Sequence, residues 1–260
     1  MRLLLLLCLF ALPAGAQGLR ALSSDQMRGV EAVGRLDIGT RAFCTGALVS
    51  PRLVLTAAHC LFADTNTPAQ IDTMTFRAGL NAGQAAAIRR VRRMVIHPDY
   101  RHGNGASGAA IAADVALLEL DRALDTPGIQ PFPAHGRLAR GAAVQVISYA
   151  RGRSEAPSHE DGCTVLDRDA RLLVLTCDVD FGASGSPVFV ATPQGLRIVA
   201  LISAMSRLSG QKVALAVPVE AGLDALTRAF ARNPALPPVR KTLRPGAARS
   251  GTIRFVRPEN

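Results

Sequence analysis

Short runs of apolar positions, separated by turn residues, recur through most of the chain. They predict strands at 42–49, 52–56, 73–79, 87–96, 114–120, 142–150, 163–167, 171–177, 186–191, 196–205 and 213–219. Many short strands punctuated by Gly, Pro and Asn argue for an all-β barrel or sandwich architecture. The stretch TPGIQPFPAHG (126–136) carries three prolines and two glycines between two groups of strands. It divides the body of the chain into a first unit over 36–125, a crossing over 126–140 and a second unit over 141–219. The stretch GNGASGAA (103–110) reads as a flexible surface loop. After Pro218 the period changes. Leu223, Leu226 and Phe230 fall at i, i+3 and i+7, with Thr227 the polar member of that face, and predict a helix over 220–232. Glu220 and Asp224 lie early in it and Arg228 and Arg232 late, which complements the helix dipole, and Pro234 closes it.

The two ends carry different patterns. Residues 1–16, MRLLLLLCLFALPAGA, have a basic start at Arg2, an apolar stretch from Leu3 to Leu12 and a small-residue site at Ala14-Gly15-Ala16. This is the pattern of a secretory signal peptide cleaved near Ala16, which would remove Cys8. No other stretch approaches the roughly eighteen apolar residues of a spanning helix. The expectation is an exported chain, secreted or periplasmic, with no stable membrane insertion. Residues 17–35 form an N-terminal segment that could serve as a pro-segment. Residues 233–260 are Pro- and Arg-rich with little core-forming capacity and read as an extended basic tail.

Export changes how the cysteines are read. Cys44, Cys60, Cys163 and Cys177 remain, an even number bound for an oxidising compartment, which favours two disulfides over a metal site. Three pairings are open. The local pairs 44–60 and 163–177 are favoured, since each closes a short loop between neighbouring strands. The formal net charge is +10, but two tyrosines, no tryptophan and no recognised binding motif accompany it, so no nucleic-acid partner is expected. The basic run RRVRRM (89–94) reads as a solvated strand face.

Three segments carry candidate chemistry. In CTGALVSPRLVLTAAHC (44–60), an apolar strand runs into His59 between two cysteines. In ADVALLEL (113–120), Asp114 stands at the mouth of an apolar strand, where a buried carboxylate needs donors. In FGASGSPV (181–188), Ser184 is fenced by Gly182 and Gly185. A serine needs a base to become a nucleophile at neutral pH. His59 could take its proton, and Asp114 could hold the imidazole and stabilise its charged form. The amides of Gly182 and Ser184 could then face a developing oxyanion.

TAAHC, DVALL and GASGSP, in that order, resemble the chymotrypsin-fold (trypsin-like) serine proteases, and IHPDY (96–100) resembles the segment that often precedes the acid strand. The resemblance runs from about residue 30 to 232. It implies two packed six-stranded antiparallel β-barrels with a C-terminal helix, a cleft between them, and hydrolysis of peptide bonds in a protein or peptide substrate through an acyl-enzyme. No metal or organic cofactor is implied. Ser203 would lie at the pocket edge, in a segment whose backbone pairs with extended substrate. Asp178, six residues before Ser184, stands where trypsins carry the acid that favours Arg or Lys before the cleaved bond, although Asp180 replaces the cysteine that family has between them. CDVDFGASGSPV is nearer the bacterial glutamyl-endopeptidase-like branch, but Ile202 stands where that branch commonly has a specificity histidine. Ala183 replaces the aspartate that pairs with a newly cut N-terminus in animal trypsins, so removal of residues 17 to about 28 would have to act in another way. The competing functions are a non-catalytic protein on the same fold that binds anionic polymers or surfaces, and an esterase-like hydrolase.

Overall fold

The computed structural model describes residues 19–40, 42–62, 67–103, 108–134 and 136–232. The expected signal peptide at 1–16 and the basic tail at 233–260 lie outside the described residues. In chain order the strands are β1 (Arg20–Ala21), β2 (Val33–Ile38), β3 (Ala42–Ser50), β4 (Leu53–Thr56), β5 (Met74–Ala78), β6 (Ala87–Ile96), β7 (Ala116–Leu120), β8 (Ala143–Ala150), β9 (Arg153–Arg168), β10 (Leu173–Leu175), β11 (Pro187–Thr192), β12 (Gly195–Leu208) and β13 (Gln211–Pro218). A short helix α1 (Gly108–Ala112) precedes β7, and α2 (Val219–Arg232) follows β13.

Two closed antiparallel barrels result. In the first, the strand order is β2-β3-β4-β7-β6-β5. In the second, β9-β10-β13-β12-β11-β8 close through the β8–β9 pairing, and β1 adds to β9. Leu36, Leu48, Leu55, Met74, Phe76 and Leu118 fill the first barrel with no exposed surface. Val146, Leu175, Val188 and Ile202 belong to a separate cluster in the second. Between the barrels, Tyr149 is wholly buried and its hydroxyl donates to the Leu80 carbonyl at 2.8 Å. In the crossing segment, Phe132 packs edge-on against Phe189 at 4.7 Å. The C-terminal helix buries Leu226, and Arg93 of β6 lies over its Phe230 ring at 3.4 Å. None of the described helices is long and apolar enough to cross a membrane.

The structure departs from the sequence expectations at four places. β2 was not anticipated, and it lies on both sides of the expected first-unit start at residue 36. β9 begins ten residues before the predicted strand at 163, because its inward positions include Ser158 and Glu160 rather than apolar residues. The expected surface loop at 103–110 gives way, from Gly108, to α1. The basic run on β6 is not simply solvated: Arg92 and Arg93 both pair with the buried Glu119 of β7, at 2.8 and 2.9 Å.

The chain entering β2 is a strap. It starts on the second barrel, where Arg20 and Ala21 pair with His159 and Ser158 and the Leu22 amide donates to the Pro157 carbonyl at 2.9 Å. It buries Leu22 and Met27 and then enters the first barrel at Val33.

Candidate active site

Local structure places each of the three candidate side chains. β4 ends at Thr56, and Ala57, Ala58 and Cys60 are buried, so the tight turn at Ala58–Leu61 presents His59 half-exposed at the end of a packed strand. A disulfide joins Cys44 of β3 to Cys60 and pins that turn; a second joins Cys163 to Cys177. Asp114 follows α1, with its amide bonded to the Ile111 carbonyl at 2.9 Å, and is 4 % exposed.

The Asp114 carboxylate is satisfied three times. Oδ1 accepts the His59 backbone N–H at 2.8 Å, Oδ2 lies 2.6 Å from His59 Nδ1, and the Ser203 hydroxyl of β12 donates to Oδ2. A carboxylate can only accept, so Nδ1 carries the ring proton and Nε2 presents its lone pair. Three donors also offset the cost of burying the charge. Nearby, burial and the Asp114 charge together raise the Tyr100 phenol far above its ordinary value, so it stays a neutral donor.

Ser184 sits in the turn between β10 and β11, and this turn docks on the first barrel. The Thr45 amide donates to the Ser184 carbonyl at 2.9 Å, and Thr45 Oγ1 donates to the Gly182 carbonyl at 3.0 Å. Gly185 has φ +77°, and a Cβ there would stand 2.3 Å from both the Thr45 carbonyl and Thr56 Oγ1, and 2.8 Å from the Ala57 amide. Gly182 has φ +95°, and a Cβ would stand 2.4 Å from the Phe43 ring. The glycines therefore do more than clear space around a hydroxyl. They let the serine turn touch the backbone two residues before His59. The amides of Ala183, Gly185 and Ser186 are bonded to the carbonyls of Asp180, Ile202 and Ala183. Among the described residues, those of Gly182 and Ser184 have no protein acceptor.

A cleft of about 400 Å³ lies against His59 and Asp114, lined also by Tyr100, Ile111, Ser203 and Ala204; Ser184 and its flanking glycines are not among its lining residues. Asp178 is not part of it. Its side chain is 64 % exposed and pairs with Lys212, while its amide donates to the buried Glu160 at 2.9 Å. Ala183 is 1 % exposed and packs in the second core. Thr45, Phe43 and Thr56 were not anticipated. Their only sequence signal is their neighbourhood to Cys44 and His59.

A family profile for the trypsin-like peptidase domain matches residues 44–200, more than half of the chain. The chain belongs to that family. The trypsin-like domain is also similar to "Serine protease 23" of Rattus norvegicus, at 31 % identity over 170 residues, which cover 56 % of this chain and 43 % of that protein. It is 36 % identical to "Serine protease Hayan" of Drosophila melanogaster over 83 residues, covering 32 % of this chain and 12 % of that one. The matched stretches thus span less than half of either relative. Among solved structures, a Glu endopeptidase in complex with MPD superposes with a TM-score of 0.69 at 18 % identity, over 84 % of this chain and 98 % of that one. The trypsin-like domain has that fold.

Proposed function

We propose that the protein is an exported serine endopeptidase, secreted or periplasmic, that cuts peptide bonds through an acyl-enzyme. One observation carries this reading: Asp114 grips His59 through both ring and backbone, on the turn against which the Ser184 loop is docked by Gly185. Ser184 Oγ attacks the substrate carbonyl carbon as its proton passes to His59 Nε2. Asp114 stabilises the imidazolium through the Nδ1–H bond. The carbonyl oxygen gains charge and accepts the free amides of Gly182 and Ser184. The tetrahedral adduct collapses, the C–N bond breaks, and His59 returns the proton to the leaving amine. Water, deprotonated by His59, then attacks the ester and frees Ser184. The acyl side of an extended substrate lies along β12 at Ser203. No role in specificity is assigned to Asp178, whose charge is spent on Lys212 at the surface.

A non-catalytic binding protein would have no need of a carboxylate-held imidazole, nor of a serine turn with two unengaged amides docked beside the strand that carries it. Labelling with a serine-reactive phosphonate tests the reading, with wild type beside Ser184→Ala. We expect a covalent adduct on wild type alone and a fall in peptide hydrolysis of about six orders of magnitude in the variant. An unlabelled wild type, or a Ser184→Ala protein that still cuts, would refute it. Cleavage of esters but of no peptide would favour the esterase.

A further inference from the structure

Phe181 is the most exposed large apolar side chain among the described residues, at 58 %, and it directly precedes Gly182. It is held in place. Its amide donates to Asp180 Oδ1 at 2.7 Å, and its carbonyl accepts the Arg151 amide at 2.7 Å. The Arg151 guanidinium lies 4.4 Å from its ring centroid. Arg151 stands at the tip of the two-residue turn between β8 and β9, a connection that leaves little freedom. Charge distinguishes this arginine from Arg35, which is neutralised by Asp37 and Glu155. Arg151 is exposed, and among the described residues it has no carboxylate partner.

Position gives the pair a use. The acyl side of the substrate is assigned to β12, at Ser203 beside Asp114. Phe181 directly precedes Gly182, whose amide is assigned to the oxyanion, and Gly182 lies close to Phe43 and to Ala150, the residue before Arg151. The pair therefore borders the proposed point of cleavage, and the leaving side of the substrate is assigned to it. We propose that Phe181 and Arg151 form the subsite for the leaving-group side of the substrate, and that it selects Asp or Glu among the first two residues after the cleaved bond. The proposal rests on the endopeptidase reading. A guanidinium stacked on a ring keeps its in-plane N–H edge free for a carboxylate. The ring covers one face of it and offers apolar contact to the side-chain stem. A lysine at the same place meets like charge.

Exposed ion pairs are modest, so attraction and repulsion together should separate Glu from Lys by about tenfold in kcat/KM. Peptides differing only at those two positions should be cut by the full-length wild type in that order. The preference should vanish in Arg151→Gln, reverse in Arg151→Glu, and shrink in the wild type as salt is raised from about 0.05 to 0.5 M. Wild-type cleavage that ignores charge at these positions, a preference indifferent to salt, or one retained in both variants overturns the subsite alone. A wild type that neither cuts peptides nor labels at Ser184 overturns the endopeptidase reading and the subsite with it.

Discussion

At the residue scale, the site depends on an atom that is missing. A methyl group at position 185 would be driven into the Thr45 carbonyl and Thr56 Oγ1 from a backbone that L side chains rarely adopt. Gly185→Ala should therefore cost about 2–4 kcal/mol of stability, read by denaturant unfolding, and should lower kcat more than it raises KM by displacing Ser184. A variant as stable and active as wild type would mean that the two barrels are not docked this way. Asp114 makes a different demand. Asp114→Asn keeps the shape but offers an amide N–H where His59 Nδ1–H now donates, and so favours the wrong tautomer. We expect kcat to fall by about four orders of magnitude with the fold intact. His59, Asp114 and Ser184 stood out as candidates because each stands at a break between apolar and small residues. Arg151 and Phe181 were not, because a turn arginine and an exposed phenylalanine carry no pattern until they are seen stacked.

At the scale of elements, apolar strands were read and polar ones were missed. The first half of β9, RSEAPSHEDG, buries Pro157, Ser158 and Glu160, and no periodicity of apolar residues marks it. β2 has an alternating half, Leu36-Asp37-Ile38, but Arg35 and Asp37 disguise it. Their charges are used across the sheet, where Asp37 bridges Arg35 and Arg77 at 2.7 and 2.6 Å. The strap before β2 invites a test, because a segment that buries Leu22 and Met27 and adds a strand to β9 belongs to the folded body. Leu22→Ala should cost about 2–4 kcal/mol. Protein truncated to begin near Gly29 should melt well below the full chain without gaining activity. A truncated form that is stable and more active would instead identify the strap as a removable pro-segment.

At the scale of the whole molecule, buried titratable groups set the response to pH. Burial lowers His97 and His159 from their ordinary value of 6.5. His97 Nδ1 accepts the Asp99 amide at 3.2 Å, which only an unprotonated nitrogen can do. Between the folded and unfolded values the unfolded chain binds more protons, so this contribution is present above about pH 6.5 and lost as the pH falls below it. Glu160 acts in the opposite sense. Burial raises it from 4.5, so its contribution is present at low pH and lost as the pH rises through the shifted value. Denaturant unfolding between about pH 7 and pH 5 should show wild type losing stability on acidification. His97→Asn, which keeps an acceptor for Asp99 but cannot be charged, should lose less; an equal loss would acquit His97.

The chain's own pattern was enough to determine an all-β body and a closing helix and to single out His59, Asp114 and Ser184 as candidates, because burial, turns and small-residue surroundings are written locally. The pairing of barrel on barrel was decided only in three dimensions. Gly185 against Ala57 and Thr45 against Gly182 join the two barrels, Lys212 on Asp178 and Arg151 over Phe181 join distant parts of the second, and each depends on distances of a few ångströms that no local pattern encodes.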